Sequence, residues 1–199
     1  MSVMQREDVW FNSGSDRISA WLYRPASDRD SPLLVMAHGL GAVRTMRLDS
    51  YAERFCEAGY ACLVFDYRNF GDSEGAPRQL LDIRMQLQDW TVAVAYARTL
   101  AGIDPNRIGL WGTSFSGGHV IATAARLPGI AAVVSQCPFC VCETDTVAPS
   151  GPTRRYAATA PRGEIKLYPE GHFEIYVGDA FERVLADQLE FLERNLLKA

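Results

Sequence analysis

Two short, almost continuous apolar runs constrain the fold of this chain most strongly. They are Pro32–His38 (PLLVMAH) and Tyr60–Asp66 (YACLVFD). Strands that are covered on both faces have this composition, and they belong to parallel sheets. Between the two runs, apolar residues recur at helical spacing over Thr45–Ala58, and the pattern ends at Gly59. The sequence therefore predicts a strand, a helix and a second strand parallel to the first.

The rest of the chain continues this alternation. Further strands are expected at Asp8–Ser13, Arg17–Arg24, Arg107–Gly112, Ile130–Gln136, Phe139–Thr144 and Gly163–Tyr168, and further helices at Leu80–Leu100, Phe115–Leu127, Gly151–Ala160 and Asp179–Lys198. The first two strands flank a short polar turn and read as a hairpin. A second turn is expected at Asp104-Pro105-Asn106. The pattern predicts an α/β fold, with a mostly parallel sheet and helices on both faces, in one domain spanning residues 1–199.

Composition and charge exclude several classes of function. The net charge is −4, so no general basic field attracts nucleic acid or an anionic membrane. No uncharged apolar run approaches the roughly 18 residues that a membrane helix needs. The first ten residues, MSVMQREDVW, carry charges where a signal peptide would be apolar. We therefore expect a protein of the cytoplasm, with neither a membrane span nor a nucleic-acid partner.

The cysteines point to the same compartment. Five are present, at positions 56, 62, 137, 140 and 142, and an odd count without an export signal favours reduced thiols. Cys137 and Cys140 have the CxxC spacing of zinc and redox sites. A zinc site would need a second pair of ligands, and a redox motif would open a helix. The flanking residues are strand-like instead, so we expect buried thiols and no metal.

One segment does not fit the parallel pattern. Residues 131–144 read AAVVSQCPFCVCET, which is two apolar strands separated only by Pro138-Phe139. Neighbouring parallel strands need a crossover of about a dozen residues or more. A tight hairpin would need residues that tolerate positive φ, and Pro-Phe supplies none. We infer that a segment normally inserted near residues 138–140 is missing; a single long strand is the alternative.

The strongest chemical signal is the sequence IGLWGTSFSGG at residues 108–118. An apolar strand runs into a turn of small residues and then into a helix, and a serine in such a turn exposes its hydroxyl. The usual pattern is G-x-S-x-G. Here Gly112, Ser114 and Ser116 occupy its three fixed positions, so serine replaces the second glycine. No lysine follows the glycines, which excludes a phosphate-binding P-loop.

Two serines compete for the role of nucleophile. Centring the motif on Ser116 keeps the later glycine but loses the earlier one. Because the strand should end just before the nucleophile, the sequence favours Ser114. A glycine-rich turn without any chemistry is the remaining alternative.

A serine nucleophile needs a base, and the chain has three histidines. His172 follows the last expected strand, in a loop at the edge where open α/β sheets place their sites. His119 lies inside the helix after the serine, where a packed or surface role is expected. His38 ends a strand and is expected to support the loop that follows it. The sequence therefore predicts His172 as the base.

The base needs an orienting carboxylate, which in this order of elements comes between the serine and the histidine. The candidates are Glu143, Asp145, Glu164 and Glu170. Asp145 stands directly after the expected strand Phe139–Thr144 and is therefore predicted to be the acid. Glu143 is the nearest rival, since it would lie within that strand.

A tetrahedral intermediate also needs backbone N–H donors for its oxyanion. One is expected from Phe115, the residue after the nucleophile, at a helix N-terminus. The other is expected from the loop Ala37–Ala42, where two glycines let the backbone approach a substrate. Leu40 is the predicted donor there, and a simple turn is the alternative.

Taken together, these motifs resemble the α/β-hydrolase superfamily over nearly the whole chain. The matching pieces are His38–Gly41, Phe65–Gly75, Gly112–Gly118, Glu143–Pro149 and Gly171–Phe173. The sequence looks most like the branch that holds dienelactone-hydrolase-like esterases, acyl peptidases and polyketide-associated thioesterases. The resemblance implies an eight-stranded, mostly parallel sheet and neither a metal nor an organic cofactor. It also implies that Asp66, which precedes the serine, is structural.

Members of that superfamily commonly carry a helical lid where this chain lacks its crossover. The resemblance therefore implies a core without a cap domain, an exposed site and weak activity. The expected reaction is hydrolysis of a small carboxylic ester or thioester through an acyl-enzyme on Ser114. Acyl transfer or peptide cleavage by the same residues is the alternative within enzymes. A non-catalytic domain of the same fold is the alternative outside them.

Overall fold

A computed structural model of the protein describes residues 5–138 and 163–197. Its six strands are β1 (Gln5–Ser13), β2 (Asp16–Arg24), β3 (Ser31–Ala37), β4 (Ala61–Phe65), β5 (Ile103–Thr113) and β6 (Ile130–Gln136). They form one sheet in the order β1-β2-β4-β3-β5-β6. The strand β2 is antiparallel to β1 and β4, whereas β3, β4, β5 and β6 are mutually parallel. The carboxyl ends of these four strands consequently meet at one edge.

Helices cover both faces of the sheet. They are α1 (Leu48–Glu57), α2 (Ile83–Ala97), α3 (Phe115–Ala124) and α4 (Gly178–Leu192), with a 3₁₀ turn at Glu174–Tyr176 and a π-helical turn at Glu193–Leu197. Aromatic side chains of α1 and α4, among them Tyr51 and Phe181, fill the core on one face. Trp90 of α2 and Val120 of α3 belong to the core on the other. Every residue of β3 and β4 is buried, as the apolar runs predict.

The predicted α/β class, the N-terminal hairpin and the order of the described strands and helices are confirmed. The eight strands that the resemblance implies are not all seen. Phe139–Thr144 and the helix expected at Gly151–Ala160 lie outside the described residues. The strand predicted at Gly163–Tyr168 is wrong, because only Tyr168 forms a bridge. Its apolar side chains Ile165 and Leu167 are exposed, and no described strand pairs with residues 163–167.

The turn predicted at Asp104–Asn106 is absorbed into β5. Ser31 of β3 pairs with Ile103, but Leu33 pairs with Ile108, so β5 carries extra residues opposite β3. Within this irregularity the Asp104 carboxylate accepts a hydrogen bond from the Asn106 N–H at 2.9 Å. The hydrogen bond expected of a turn therefore forms, but it lies within a bulge of β5 and does not end the strand.

Candidate active site

Ser114 stands at a sharp turn between β5 and α3. Its backbone has φ 56° and ψ −120°, a conformation that a residue with a side chain rarely adopts. Two hydrogen bonds hold it: the Ser114 N–H donates to the Gln136 carbonyl at 2.8 Å, and the Ser114 carbonyl accepts from the Gly117 N–H at 2.9 Å. Strain of this kind persists only where the surrounding structure enforces it, and it clusters at functional sites.

Gly112 is needed for this turn to close. A Cβ atom at position 112 would lie 2.4 Å from the Ser116 carbonyl oxygen and 2.8 Å from Val120 Cγ1. Both contacts are closer than non-bonded atoms approach, so a larger residue would push α3 away from β5. The first glycine of the motif therefore serves close packing of the helix on the strand.

Ser116, the rival serine, lies in the core. Its side chain is fully buried and its Oγ is 2.7 Å from the Tyr67 hydroxyl, which also accepts a hydrogen bond from Trp90 Nε1 at 2.8 Å. Burial raises the pKa of Tyr67, so its phenol stays protonated within this chain of hydrogen bonds. The serine that departs from the usual motif is thus a hydrogen-bond partner for a buried tyrosine. Sequence reasoning did not find this role.

His172 is the residue that the structure brings to Ser114. Its Nε2 lies 3.0 Å from Ser114 Oγ, and its side chain is largely buried, with 8% of the residue exposed. This distance is within hydrogen-bond reach, as proton transfer between a hydroxyl and a base requires. The ring of Phe173 meets the imidazole edge-on, with ring centroids 5.0 Å apart.

The segment that carries His172 is anchored to α1 and to Arg47, the residue directly before α1. Tyr51 donates its hydroxyl proton to the Ile175 carbonyl at 2.7 Å, and the Arg47 guanidinium donates to the Tyr176 carbonyl at 3.2–3.3 Å. The hydroxyl groups of Tyr176 and Thr113 are also hydrogen-bonded, which ties the segment to the end of β5. Tyr176 was missed by the sequence analysis. An aromatic residue four positions after the predicted base is the signal that could have suggested it.

His38 fastens the loop after β3. Its Nδ1 accepts the Gly39 N–H at 2.8 Å, so Nε2 carries the proton and donates it to the Met46 carbonyl at 2.8 Å. The ring stacks on Tyr176, with centroids 6.0 Å apart, and burial lowers the pKa of the imidazole. The structure thus places a neutral His38 across both ends of the loop, in the supporting position that the sequence predicts.

The same loop lies against the nucleophile. A Cβ atom at Gly39 would be 2.7 Å from Ser114 Cβ and 3.1 Å from its Oγ, so only glycine permits this approach. Leu40 follows directly, and its N–H has no acceptor among the described residues. Phe115 is the first residue of α3 and follows Ser114 directly. Both predicted oxyanion donors therefore belong to backbone next to Ser114.

The predicted acid Asp145 and its rival Glu143 lie outside the described residues, so the acid stays a prediction. The two other candidates have different partners. Glu164 forms an ion pair with Arg194 at 2.9 Å, and Glu170 pairs with Arg183.

His119 is buried near the turn that carries Ser114, where it packs against Phe115. Its Nε2 is 2.8 Å from the Gln86 side-chain oxygen, and its ring centroid is 4.7 Å from that of Phe115. Burial lowers the pKa of His119 to about 4, so the ring is neutral near pH 7 and donates to Gln86.

Other kinds of site find little support in the described parts of the chain. Residues 5–138 and 163–197 contain no group of three or more His, Cys, Asp or Glu side chains that could hold a metal ion. None of their helices is long and apolar enough to cross a bilayer. The cysteines 56, 62 and 137 are all buried, whereas Cys140 and Cys142 lie outside the description. An open cavity of about 430 Å³ lies between α1 and α4, with charged residues in its lining, and includes neither Ser114 nor His172.

Comparison with known proteins assigns this chain to a family. The family model of X-Pro dipeptidyl-peptidases (S15 family) matches residues 13–160, which is more than half of the chain. The chain belongs to this family of α/β-hydrolases. The crystal structure of the α/β-hydrolase GrgF from Penicillium sp. sh18 superposes with a TM-score of 0.90 at 19% identity, covering 97% of this chain and 99% of that one. The resemblance drawn from the motifs is confirmed at the level of the superfamily.

Curated relatives of this α/β-hydrolase include proteins of two kinds. The quorum-quenching protein AidA of Acinetobacter baumannii (strain MDR-ZJ06) is 42% identical over 286 aligned positions, covering 94% of each chain. The thiohydrolase aneE of Aspergillus aculeatus is 43% identical over 112 residues, which cover 56% of this chain but only 35% of that relative. The alignment with AidA is longer than the 199 residues present here, so at least 87 of its positions have no counterpart in this chain.

Proposed function

We propose that this α/β-hydrolase cleaves carboxylic esters or thioesters through an acyl-enzyme on Ser114. The observation that carries the proposal is the 3.0 Å distance from His172 Nε2 to the hydroxyl of a serine held in a strained strand-to-helix turn. A serine hydroxyl is a poor nucleophile until such a base removes its proton. The names of a thiohydrolase and a quorum-quenching protein among its relatives support acyl chemistry on a small molecule.

The reaction follows from these positions. His172 takes the Ser114 proton as Oγ attacks the carbonyl carbon, and the resulting oxyanion accepts hydrogen bonds from the N–H groups of Leu40 and Phe115. The intermediate collapses as the imidazolium returns the proton to the departing alcohol or thiol. Water, activated by His172, then attacks the acyl-enzyme and frees Ser114. Asp145 is the proposed carboxylate that orients the imidazole, and no step requires a metal or an organic cofactor.

A segment missing near residues 138–140 is part of this proposal. At least 87 positions of the AidA alignment have no counterpart in this chain, and an alignment begins and ends on matched residues. The unmatched positions therefore lie inside the matched region, which supports an internal segment that is missing here. Without such a segment, the acyl chain of a bound substrate would make fewer contacts with the protein. We therefore infer weaker activity than a full-length relative would show.

Two exposed apolar residues adjoin the residues of the proposed site. Phe173, next to the base, is 72% exposed, and Leu40, the proposed oxyanion donor, is 65% exposed. Exposed apolar side chains next in sequence to the proposed base and to Gly39 favour an apolar substrate group. We therefore infer that an apolar acyl or alcohol group of the substrate contacts Phe173.

Phe173→Ala should raise KM for esters with a long straight acyl chain about fivefold and leave acetyl esters nearly unchanged. The reason is that a partly buried apolar contact contributes about 1 kcal/mol to binding. Trp10→Ala is the matched control, because Trp10 is an exposed aromatic residue (43%) on β1, the edge strand at the other end of the sheet. An equal change in KM for both chain lengths would contradict an acyl contact at Phe173.

The direct test of the nucleophile is covalent labelling by a fluorophosphonate probe. The wild type should be labelled and Ser114→Ala should not. Ser116→Ala is the matched control, since it removes the neighbouring hydroxyl and should still be labelled. Equal labelling of wild type and Ser114→Ala would refute the assignment. A wild type that is neither labelled nor hydrolytic would favour a non-catalytic domain.

A further inference from the structure

A buried ion pair holds the middle of the loop after β3, residues 38–47. The backbone N–H of Arg44 donates to Asp66 Oδ1 at 2.7 Å, and its guanidinium Nη1 donates to Asp66 Oδ2 at 2.5 Å. Both side chains are almost fully buried, at 3% exposure for each residue. One carboxylate thus binds the main chain and the side chain of the same loop residue, which fixes where that residue lies.

Asp66 is itself fixed, because it stands directly after β4. Its Oδ2 also accepts the Asp72 N–H at 3.2 Å, and Asp72 binds Arg44 Nη2 at 2.8 Å. A Cβ atom at Gly71 would lie 2.1 Å from Asp66 Oδ2, so this turn closes tightly over the carboxylate. The Arg44 guanidinium lies over the Trp21 ring at 4.8 Å. The carboxylate is therefore a rigid attachment point on the sheet.

The loop depends on such an attachment. Its own backbone bonds are two turns, from Ala42 N–H to the Gly39 carbonyl at 3.3 Å and from Met46 N–H to the Val43 carbonyl at 2.9 Å. His38 ties its beginning to Met46, near its end. Arg44 ties the part between them to β4, four residues after the proposed oxyanion donor Leu40.

A second buried pair offers an internal comparison. Asp89 of α2 accepts the Arg68 N–H at 3.0 Å, Arg68 Nε at 2.6 Å and the Ser13 hydroxyl at 2.7 Å. It is fully buried, so its chemistry closely parallels that of Asp66. Its hydrogen-bond partners belong to β1 and to the segment after β4, and none of those described lies in the loop after β3. Substitution of Asp89 therefore gives the cost of breaking a buried ion pair without disturbing that loop.

We propose that Asp66 is a positioning residue, which acts through Arg44 to place the Leu40 N–H at the oxyanion of the proposed Ser114 reaction. Asp66 binds the loop residue Arg44 twice and the Asp72 N–H once, so the role proposed for it is to hold the loop and not to transfer a proton. A misplaced oxyanion donor weakens binding of the transition state and leaves binding of the ground state unchanged. The kinetic signature is a fall in kcat with KM preserved. The inference rests on the proposed function.

The test compares Asp66→Asn with Asp89→Asn in the full chain. We expect Asp66→Asn to lower kcat for a simple ester about 10- to 100-fold, with KM within about threefold of wild type, since complete loss of one donor typically costs 10²–10³. Its affinity for a boronic acid, which forms a tetrahedral adduct with the serine, should fall by a similar factor. Asp89→Asn should lower the Tm comparably and leave both readouts within about threefold. Equal kcat in the two variants, below both Tm values, would overturn the inference.

A second variant covers failure of Asp66→Asn to fold. Arg44→Lys keeps the positive charge and the backbone N–H but loses the forked contact with Asp66 and Asp72. We expect it to lower kcat at least fivefold with KM preserved, and an unchanged kcat would overturn the inference. Absence of turnover that depends on Ser114 in the wild type would instead refute the proposed function itself. The two failures are therefore distinguishable.

Discussion

Replacing His172 with alanine should lower kcat for ester hydrolysis about 10⁴-fold or more. The imidazole Nε2 lies 3.0 Å from Ser114 Oγ, and without this base the hydroxyl keeps its proton. KM should change little, because residues other than His172 make most of the contacts that bind the substrate. Initial rates with a p-nitrophenyl ester, measured over a range of concentrations, separate the two parameters.

His119→Gln is the matched control for this experiment. It replaces a second buried histidine that lies near the same turn, and glutamine can still donate to the Gln86 side chain as His119 does at 2.8 Å. We expect kcat within about threefold of wild type. A His172→Ala enzyme that kept a tenth or more of the wild-type kcat would show that His172 is not the base.

The sequence is most informative where one local pattern has one structural solution. The runs at β3 and β4 are apolar at almost every position, and a strand buried on both faces is what such a run can form. The small residues around Ser114 are similarly restrictive, since a Cβ at Gly112 would collide with α3. Neither inference requires knowledge of the rest of the chain, which is why both are readable in advance.

Features that depend on distant partners are not readable in this way. Ser116 pairs with Tyr67, which is 49 positions away, and Tyr51 binds the Ile175 carbonyl across 124 positions. The sequence close to Ser116 or to Tyr51 does not indicate those distant partners. The strand expected at Gly163–Tyr168 does not form for a related reason: a strand needs a partner, and no described strand pairs with residues 163–167. Apolar alternation gives the tendency of a segment, and the neighbour decides the outcome.

The loop after β3 combines both situations. Its glycines are visible in the sequence and predict a close approach of backbone to substrate, but the sequence does not say what limits that approach. In the structure the limit is Ser114 itself, at Gly39. The nucleophile and one proposed oxyanion donor are therefore set against each other by direct contact, and the Arg44–Asp66 pair holds the loop from the other side.

That contact makes Gly39→Ala a severe change, which should lower kcat on the order of 10²- to 10³-fold. The added Cβ would lie 2.7 Å from Ser114 Cβ, against the 3.5–4.0 Å at which carbon atoms rest. Either the loop moves away and takes the Leu40 N–H with it, or the Ser114 side chain moves away from His172. Both outcomes remove transition-state stabilisation, so kcat should fall far more than KM rises. Fluorophosphonate labelling should slow in parallel.

Gly171→Ala separates this steric effect from the general cost of replacing a glycine beside a site residue. Gly171 adjoins His172 as Gly39 adjoins the proposed donor, and its backbone likewise lies outside the left-handed region. A Cβ there would meet Glu174 Oε2 at 3.7 Å, an ordinary contact, so kcat and Tm should stay near wild type. If Gly171→Ala were as damaging as Gly39→Ala, backbone rigidity rather than contact with Ser114 would explain both. If Gly39→Ala were as active as wild type, the loop would not be held against the nucleophile, and the Leu40 N–H would lose its place in the mechanism.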